Sequence, residues 1–264
     1  MVKLSTLSSQ ATRFTTRRTI AAAFSITALT SLYCWTAAAE PATSTTLTIT
    51  SSSLPPISTS DGTGFENLIA KEMFRRLGIE ITFNILPAER TLVNLDKGYD
   101  DGTLSRIGGL AGKYKNLTQI DESVVTTDYV AFSRKKDIQL NGWDSLKPYT
   151  VGIITGWKIL ERNIKGTRSL TKARNAEQLF SLLDLDRVDL VIFSRLSGLQ
   201  LIKDRGLKGI QVLEQPLARK DKYFYLHKKH RELAVKAATT LQEMKADGTL
   251  QRTIDQAIKP LLTN

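Results

Sequence analysis

Two arginines, Arg90 and Arg106, frame the stretch of this chain richest in chemical possibility, Glu89 to Ile107. The chemistry they suggest is capture of an anion rather than bond-making. Arg90 falls in the first turn of an expected helix, where a cation opposes the helix dipole. That placement makes sense if the side chain reaches into a cleft towards an anion; pairing with Glu89 on the surface is the alternative. Arg106 ends an expected strand between Leu104 and Ile107, and ligands of open α/β sheets gather outside the carboxyl ends of strands. Thr155, Gly156 and Trp157 mark a second place of the same kind. There a strand turns into a helix, and backbone N–H groups can receive carboxylate or phosphate oxygens. Ser194 and Arg195 follow another strand. Tyr129 is placed to stack on a ligand, Ser51 to Ser53 (Ser52 foremost) offer hydroxyls, and Phe65 reads as core.

Signatures of an enzyme are weak. His227 and His230 are the only histidines and sit in a lysine-rich segment, which reads as solvated surface without a metal site. Gly62-Thr63-Gly64 lacks the third glycine of a dinucleotide fingerprint and follows a long loop. Neither a phosphate-cradling Gly-Lys-Ser loop nor a Gly-x-Ser-x-Gly elbow occurs. No cofactor is expected.

The elements that must position these residues alternate along the chain. Leu47–Thr50 alternates apolar and polar as a strand does, and Ser51–Gly64 is a Ser/Pro/Gly-rich loop. From Phe65 the period is helical, with Leu68, Ile69, Met73 and Leu77 on one face and Gly78 as the stop. Ile79–Leu86 reads as a strand, and Pro87 opens the helix carrying Leu92 and Leu95. Further strands are expected at Tyr129–Ser133, Tyr149–Ile154, Leu190–Phe193, Ile210–Leu213 and Tyr223–Leu226. Helices are expected from Trp157, at Ala176–Leu183 and Leu196–Lys203, and at Glu232–Lys245 and Leu250–Ile258, the last stopped by Pro260. Strands alternating with helices imply an α/β protein with largely parallel sheets. The polar stretches Lys135–Trp143 and Gln215–Asp221 read as two hinge crossings. They divide the chain into lobe 1 (residues 40–134 and 216–264) and lobe 2 (residues 135–215).

Length and composition agree with two lobes of about 100 residues each. Residues 1–39 read as an export signal: Lys3, Arg13, Arg17 and Arg18 without an acid, an alanine-rich apolar run, then Ala37-Ala38-Ala39 as the cleavage site. Cleavage after Ala39 removes Cys34, the single cysteine, so the mature core forms no disulfide. The chain carries 37 Lys and Arg against 26 Asp and Glu. The excess is dispersed, with no block of five like charges, which favours solvated surface or an anionic ligand over nucleic acid.

Five segments, in order, resemble the family 3 solute-binding proteins, the periplasmic receptors of amino-acid uptake systems. They are Pro56 with Gly64-Phe65, the Gly98–Gly102 turn, Val151–Trp157, Arg187–Val191, and Met244–Thr249. The resemblance implies a two-lobed type 2 periplasmic-binding fold, each lobe a mostly parallel sheet flanked by helices, closing on a small polar or anionic molecule without covalent chemistry. It also implies a periplasmic monomer serving an ABC-type membrane permease. Relatives that dehydrate cyclic acids leave an enzyme as the alternative, with Glu89 or Asp101 as acid or base; a ligand-sensing partner of a membrane receptor is another. Two positions depart from the amino-acid receptors. Lys113 stands where an arginine clamps the α-carboxylate, and Ser194 where an aspartate meets the α-ammonium. A serine cannot neutralise an ammonium, and Arg106 offers a replacement cation.

Overall fold

The computed structural model describes residues 46–262. The segment read as the export signal, with Arg17-Arg18, Cys34 and Ala37–Ala39, lies outside the described residues. In chain order the strands are β1 (Thr46–Ser51), β2 (Glu80–Ile85), β3 (Gly102–Ile107), β4 (Leu117–Gln119), β5 (Val125–Ser133), β6 (Thr150–Ile154), β7 (Ser169–Ala173), β8 (Leu190–Ser194), β9 (Gln211–Val212) and β10 (Ala218–His227). The helices are α1 (Phe65–Arg76), α2 (Ala88–Asp96), α3 (Lys158–Asn163), α4 (Ala176–Asp184), α5 (Arg195–Arg205), α6 (Arg231–Ala246) and α7 (Thr249–Leu262). Among the described residues no helix is long and apolar enough to cross a membrane.

Hydrogen bonding orders the strands β2-β1-β3-β10-β5-β8-β6-β7, with β4 on β10 and β9 on β5. Each end of this series is a parallel trio, β2-β1-β3 in one lobe and β7-β6-β8 in the other. Between them run β5 and β10, antiparallel to each other and to their outer neighbours, so the sheet is mixed where the sequence suggested largely parallel pairing. Strand β8 is buried at all five residues, as a strand covered on both faces must be. Local chemistry fixes several helix ends. Pro87 precedes α2 without costing it a needed N–H, the Asn175 side chain accepts from Gln178 N at 2.8 Å at the start of α4, and Gly206 ends α5 in the left-handed region.

Tyr129 pairs with Ala218 of β10 on one side and with Ser194 of β8 on the other, so β5 itself passes from lobe to lobe at this residue. Lys135–Trp143 follows β5 as a loop that exposes Lys135, Lys136 and Asp137 and buries Ile138 and Leu140. Ala218, within Gln215–Asp221, is the β10 residue that pairs with Tyr129. Two short strands, β4 and β7, were not visible in the sequence. Helix α7 continues past Pro260 to Leu262, because a proline in the last turn displaces only a terminal hydrogen bond.

Candidate functional site

The first step in building the site is an irregularity in β3. Arg106 pairs with Tyr223 and Ile107 with Lys222, but between Tyr223 and Tyr225 the register shifts, and Thr103 is the partner of Tyr225. At the shift Ser105 adopts φ 55°, a left-handed conformation that costs a side-chain-bearing residue about 1–3 kcal/mol. The result is that Ser105, Arg106 and Ile107 all line one cavity, which the strict alternation of a regular strand forbids.

Arg106 is 7% exposed. Its Nη2 donates to Thr91 Oγ1, whose own hydroxyl donates to the Ala88 carbonyl at 2.9 Å, while its Nε has no hydrogen-bond partner. Burial pulls the guanidinium down to about 10, opposed by the charge of Glu66. Glu66, in the first turn of α1, is fully buried, and neither carboxyl oxygen reaches hydrogen-bond geometry with a partner. Burial pushes its carboxyl up to about 7, against the charge of Lys222, the nearby Ser105 hydroxyl and the charge of Arg106. Lys222 comes from β10 and places Nζ 5.4 Å from the centre of the Tyr129 ring. Tyr129 in turn meets Trp157 edge-on at 5.7 Å, and Trp157 stacks on Phe193 at 4.8 Å with 10° between planes.

The lobes touch across this cluster. Lys158 at the start of α3 pairs with Glu89 of α2, as an ion pair rather than an aligned hydrogen bond, and with Glu161 at 3.0 Å. The Tyr114 hydroxyl donates to Glu89 Oε1 at 3.2 Å. Gly156 adopts φ 88°, and a Cβ there would stand 2.7 Å from the Glu89 nitrogen. The cavity beside Arg106 is about 40 Å³, and its charged lining is Arg106, Lys158 and Lys222, with no acid. A second cavity of about 440 Å³ shares Ser52, Leu54 and Trp157 with the first. Among the described residues no group of His, Cys, Asp and Glu has the arrangement of a metal site.

An uncharacterized protein of Shewanella oneidensis is 31% identical over 199 residues, covering 72% of this chain and 74% of its own. The chain belongs to that protein's family. The L-cystine-binding protein TcyJ of Escherichia coli K12 is 23% identical over 193 residues, 72% of this chain and 71% of its own. No family model matches. Among solved structures, the amino acid ABC transporter substrate-binding protein AbpA of Streptococcus pneumoniae, bound to L-arginine, superposes with a TM-score of 0.69 at 18% identity. The match covers 83% of this chain and 97% of that one. The fold is thus that of the family 3 periplasmic solute-binding proteins, as the ordered motifs implied.

Within this solute-binding fold the residues singled out from sequence divide into groups. Arg106, Tyr129, Gly156, Trp157 and Ser52 line the cavity beside Arg106, and Glu89 bounds it through Lys158. Arg90 is exposed and lines neither cavity. Ser194 and Arg195 line a different hollow at the hinge, where Arg195 donates to Glu214 Oε2 at 2.8 Å and the neighbouring Arg219 pairs with Asp128. The expected free N–H groups after β6 are not free. Thr155 N donates to the Ala173 carbonyl, Gly156 N to Glu161 Oε1 and Trp157 N to the Ile154 carbonyl, because a six-residue helix closes its first turn with its own glutamate. Lys113 is exposed, its Nζ 5.2 Å from the centre of the Tyr114 ring.

His230 is not solvated surface: its Nε2 lies 2.8 Å from Asp101 Oδ1, which also pairs with Lys229 at 2.7 Å, while Thr48 N donates to Oδ2 at 2.9 Å. Burial acts to raise Asp101, and these three partners outweigh it to leave the carboxyl below its usual range. Sequence reasoning missed Glu66, Thr91, Ser105, Lys158 and Lys222. One signal was available for Glu66: an acid in the first turn of a helix whose neighbours Phe65, Ile69 and Met73 are all core.

Proposed function

We propose that this protein captures a small anionic metabolite between its two lobes in the periplasm and delivers it, as a monomer, to an ABC-type membrane permease. The lobes divide at Tyr129 and Ala218, about which closure occurs as a hinge motion. One observation carries the reading: the interlobe cavity presents three cations and no carboxylate. Arg106 supplies an unpartnered Nε, Lys222 an ammonium held over Tyr129, and Trp157 an apolar wall. TcyJ and AbpA are binding proteins, and the acids that an enzyme would need support the same view. Glu89 is held by Lys158 and Tyr114, and Asp101 by His230, Lys229 and Thr48, so neither is placed to move a proton on a substrate.

A thermal-shift screen of amino acids, mono- and dicarboxylates and phosphonates tests this. A solute at 100 times its dissociation constant adds about 2.7 kcal/mol to folding stability, a clear rise in melting temperature for a chain of this size. A folded protein that responds to none of these compounds is not a receptor for them, and the reading fails.

A further inference from the structure

The space beside Arg106 is too small to be the whole site. About 40 Å³ holds a carboxylate head and little else, so the body of any solute has to lie elsewhere. Ser52, Leu54 and Trp157 also stand in the wall of the 440 Å³ cavity, which makes that compartment the next space along the cleft. Its wall is mainly apolar, built by Leu54, Ile85, Leu86, Ile154, Trp157 and Phe193. Its one acid, Glu177, is exposed and lies beside exposed Arg174. Trp157 forms the partition, fixed by stacking on Phe193 and by the edge of Tyr129.

We propose that the solute is an amphiphilic carboxylate with its anionic head at Arg106 and Lys222, an apolar or aromatic body against Trp157 in the larger compartment, and no ammonium. This rests on the solute-binding reading above and narrows it. The wall of the head subsite presents Arg106, Lys158 and Lys222 to an ammonium and no carboxylate, since Glu66 lies buried behind Arg106 and Lys222 and Glu89 is already held by Lys158. The body gains from burial against Leu, Ile and aromatic side chains, which a short dicarboxylate lacks.

Isothermal titration of the full chain with four probes separates the parts: 3-phenylpropanoate (head and body), L-phenylalanine (the same plus an ammonium), 3-phenylpropanol (body only) and glutarate (anion only). The expected result is that 3-phenylpropanoate binds at least tenfold more tightly than each of the others. Leu86→Trp fills the larger compartment and is expected to weaken 3-phenylpropanoate at least tenfold, while acetate, which needs only the head subsite, stays within twofold. Ser53→Trp, from the exposed rim of the same cavity, replaces it if Leu86→Trp melts early. L-phenylalanine or glutarate binding as tightly as 3-phenylpropanoate overturns the inference and leaves the receptor reading standing. Folded protein that binds none of the probes, and no compound of the thermal-shift screen, overturns both.

Discussion

Two aspartates and one glutamate-arginine pair, all withdrawn from water to some degree, are treated in opposite ways by this molecule. Asp101 precedes β3 and Asp189 precedes β8, the corresponding strands of the two parallel trios. Asp101 accepts from Thr48 N at the neighbouring β1; Asp189 accepts from Thr150 N and Thr150 Oγ1 at β6, both at 2.8 Å, and pairs with Lys135. Every oxygen of both carboxylates is engaged. In the cleft, by contrast, Glu66 has two unpartnered oxygens and Arg106 an unpartnered Nε. Completed polar sites tie a lobe's first and third strands together. Incomplete ones cost free energy as they stand, and at Arg106, which lines the cavity, an anionic solute offsets part of that cost.

The sharpest way to break this comparison is Asp189→Ala. Burial acts to raise that carboxyl, yet Lys135 and the two Thr150 donors hold it down to about 2. Its stabilisation is therefore fully present above the ordinary aspartate range and is lost as pH falls towards 2. We expect the alanine variant to lose about 3 kcal/mol, a fall of roughly 6–12 °C in a calorimetric melt; an unchanged melt would mean the bonds are ornamental. Arg106→Leu is expected to do the reverse. Anion affinity falls about a hundredfold, equivalent to about 3 kcal/mol, while the melting temperature changes little, since relief of the buried guanidinium's desolvation is offset by leaving Glu66 without this countercharge. A variant that binds normally places the anion elsewhere.

Glu66→Gln sharpens the contrast through pH. Its folded carboxyl lies near 7 against an ordinary 4.5, so the native state holds a proton that the unfolded state has released. Native stability accordingly falls as pH rises from about 4.5 to about 7, by at most about 3 kcal/mol. An unpartnered amide retains part of that cost, so we expect the variant to gain about 1–2 kcal/mol at pH 8 and to lose the slope, read from urea midpoints across pH. Wild-type affinity for a carboxylate is expected to strengthen as pH falls from 8 to 6, because protonating Glu66 leaves Arg106 and Lys222 less compensated. The smallest effect belongs to Lys158→Ala. Glu89 is more than a third exposed, so its ion pair with Lys158 contributes under about 1 kcal/mol. The melt should barely move, while solute release, followed by stopped flow, quickens a few-fold.

Much of the scaffold was legible in the chain. Pro87 and Gly78 punctuate helices where backbone chemistry demands it, and the Leu-Thr-Ile-Thr alternation of β1 announced a strand. Strand β7 escaped because four of its five residues are exposed or half-exposed at the sheet's edge, so burial imposes no pattern on Ser-Leu-Thr-Lys-Ala. The crossing at Tyr129 escaped because a strand paired with both lobes looks, in sequence, like any other strand. Arg106 was visible from its place at a strand end. Its companions were not: Lys222 sits in the run Arg219-Lys220-Asp221-Lys222, which reads as solvated, and only the pairing of β10 with β3 turns it inward. Glu66 was hidden by the general rule that acids stay outside.

Gly156 gives the molecule its tolerance. Where it faces Glu89, two main chains from opposite lobes meet with room for a hydrogen and nothing more. A methyl group there is a wedge in a door. Solute would still enter and find its cations, but the cleft would no longer shut behind it.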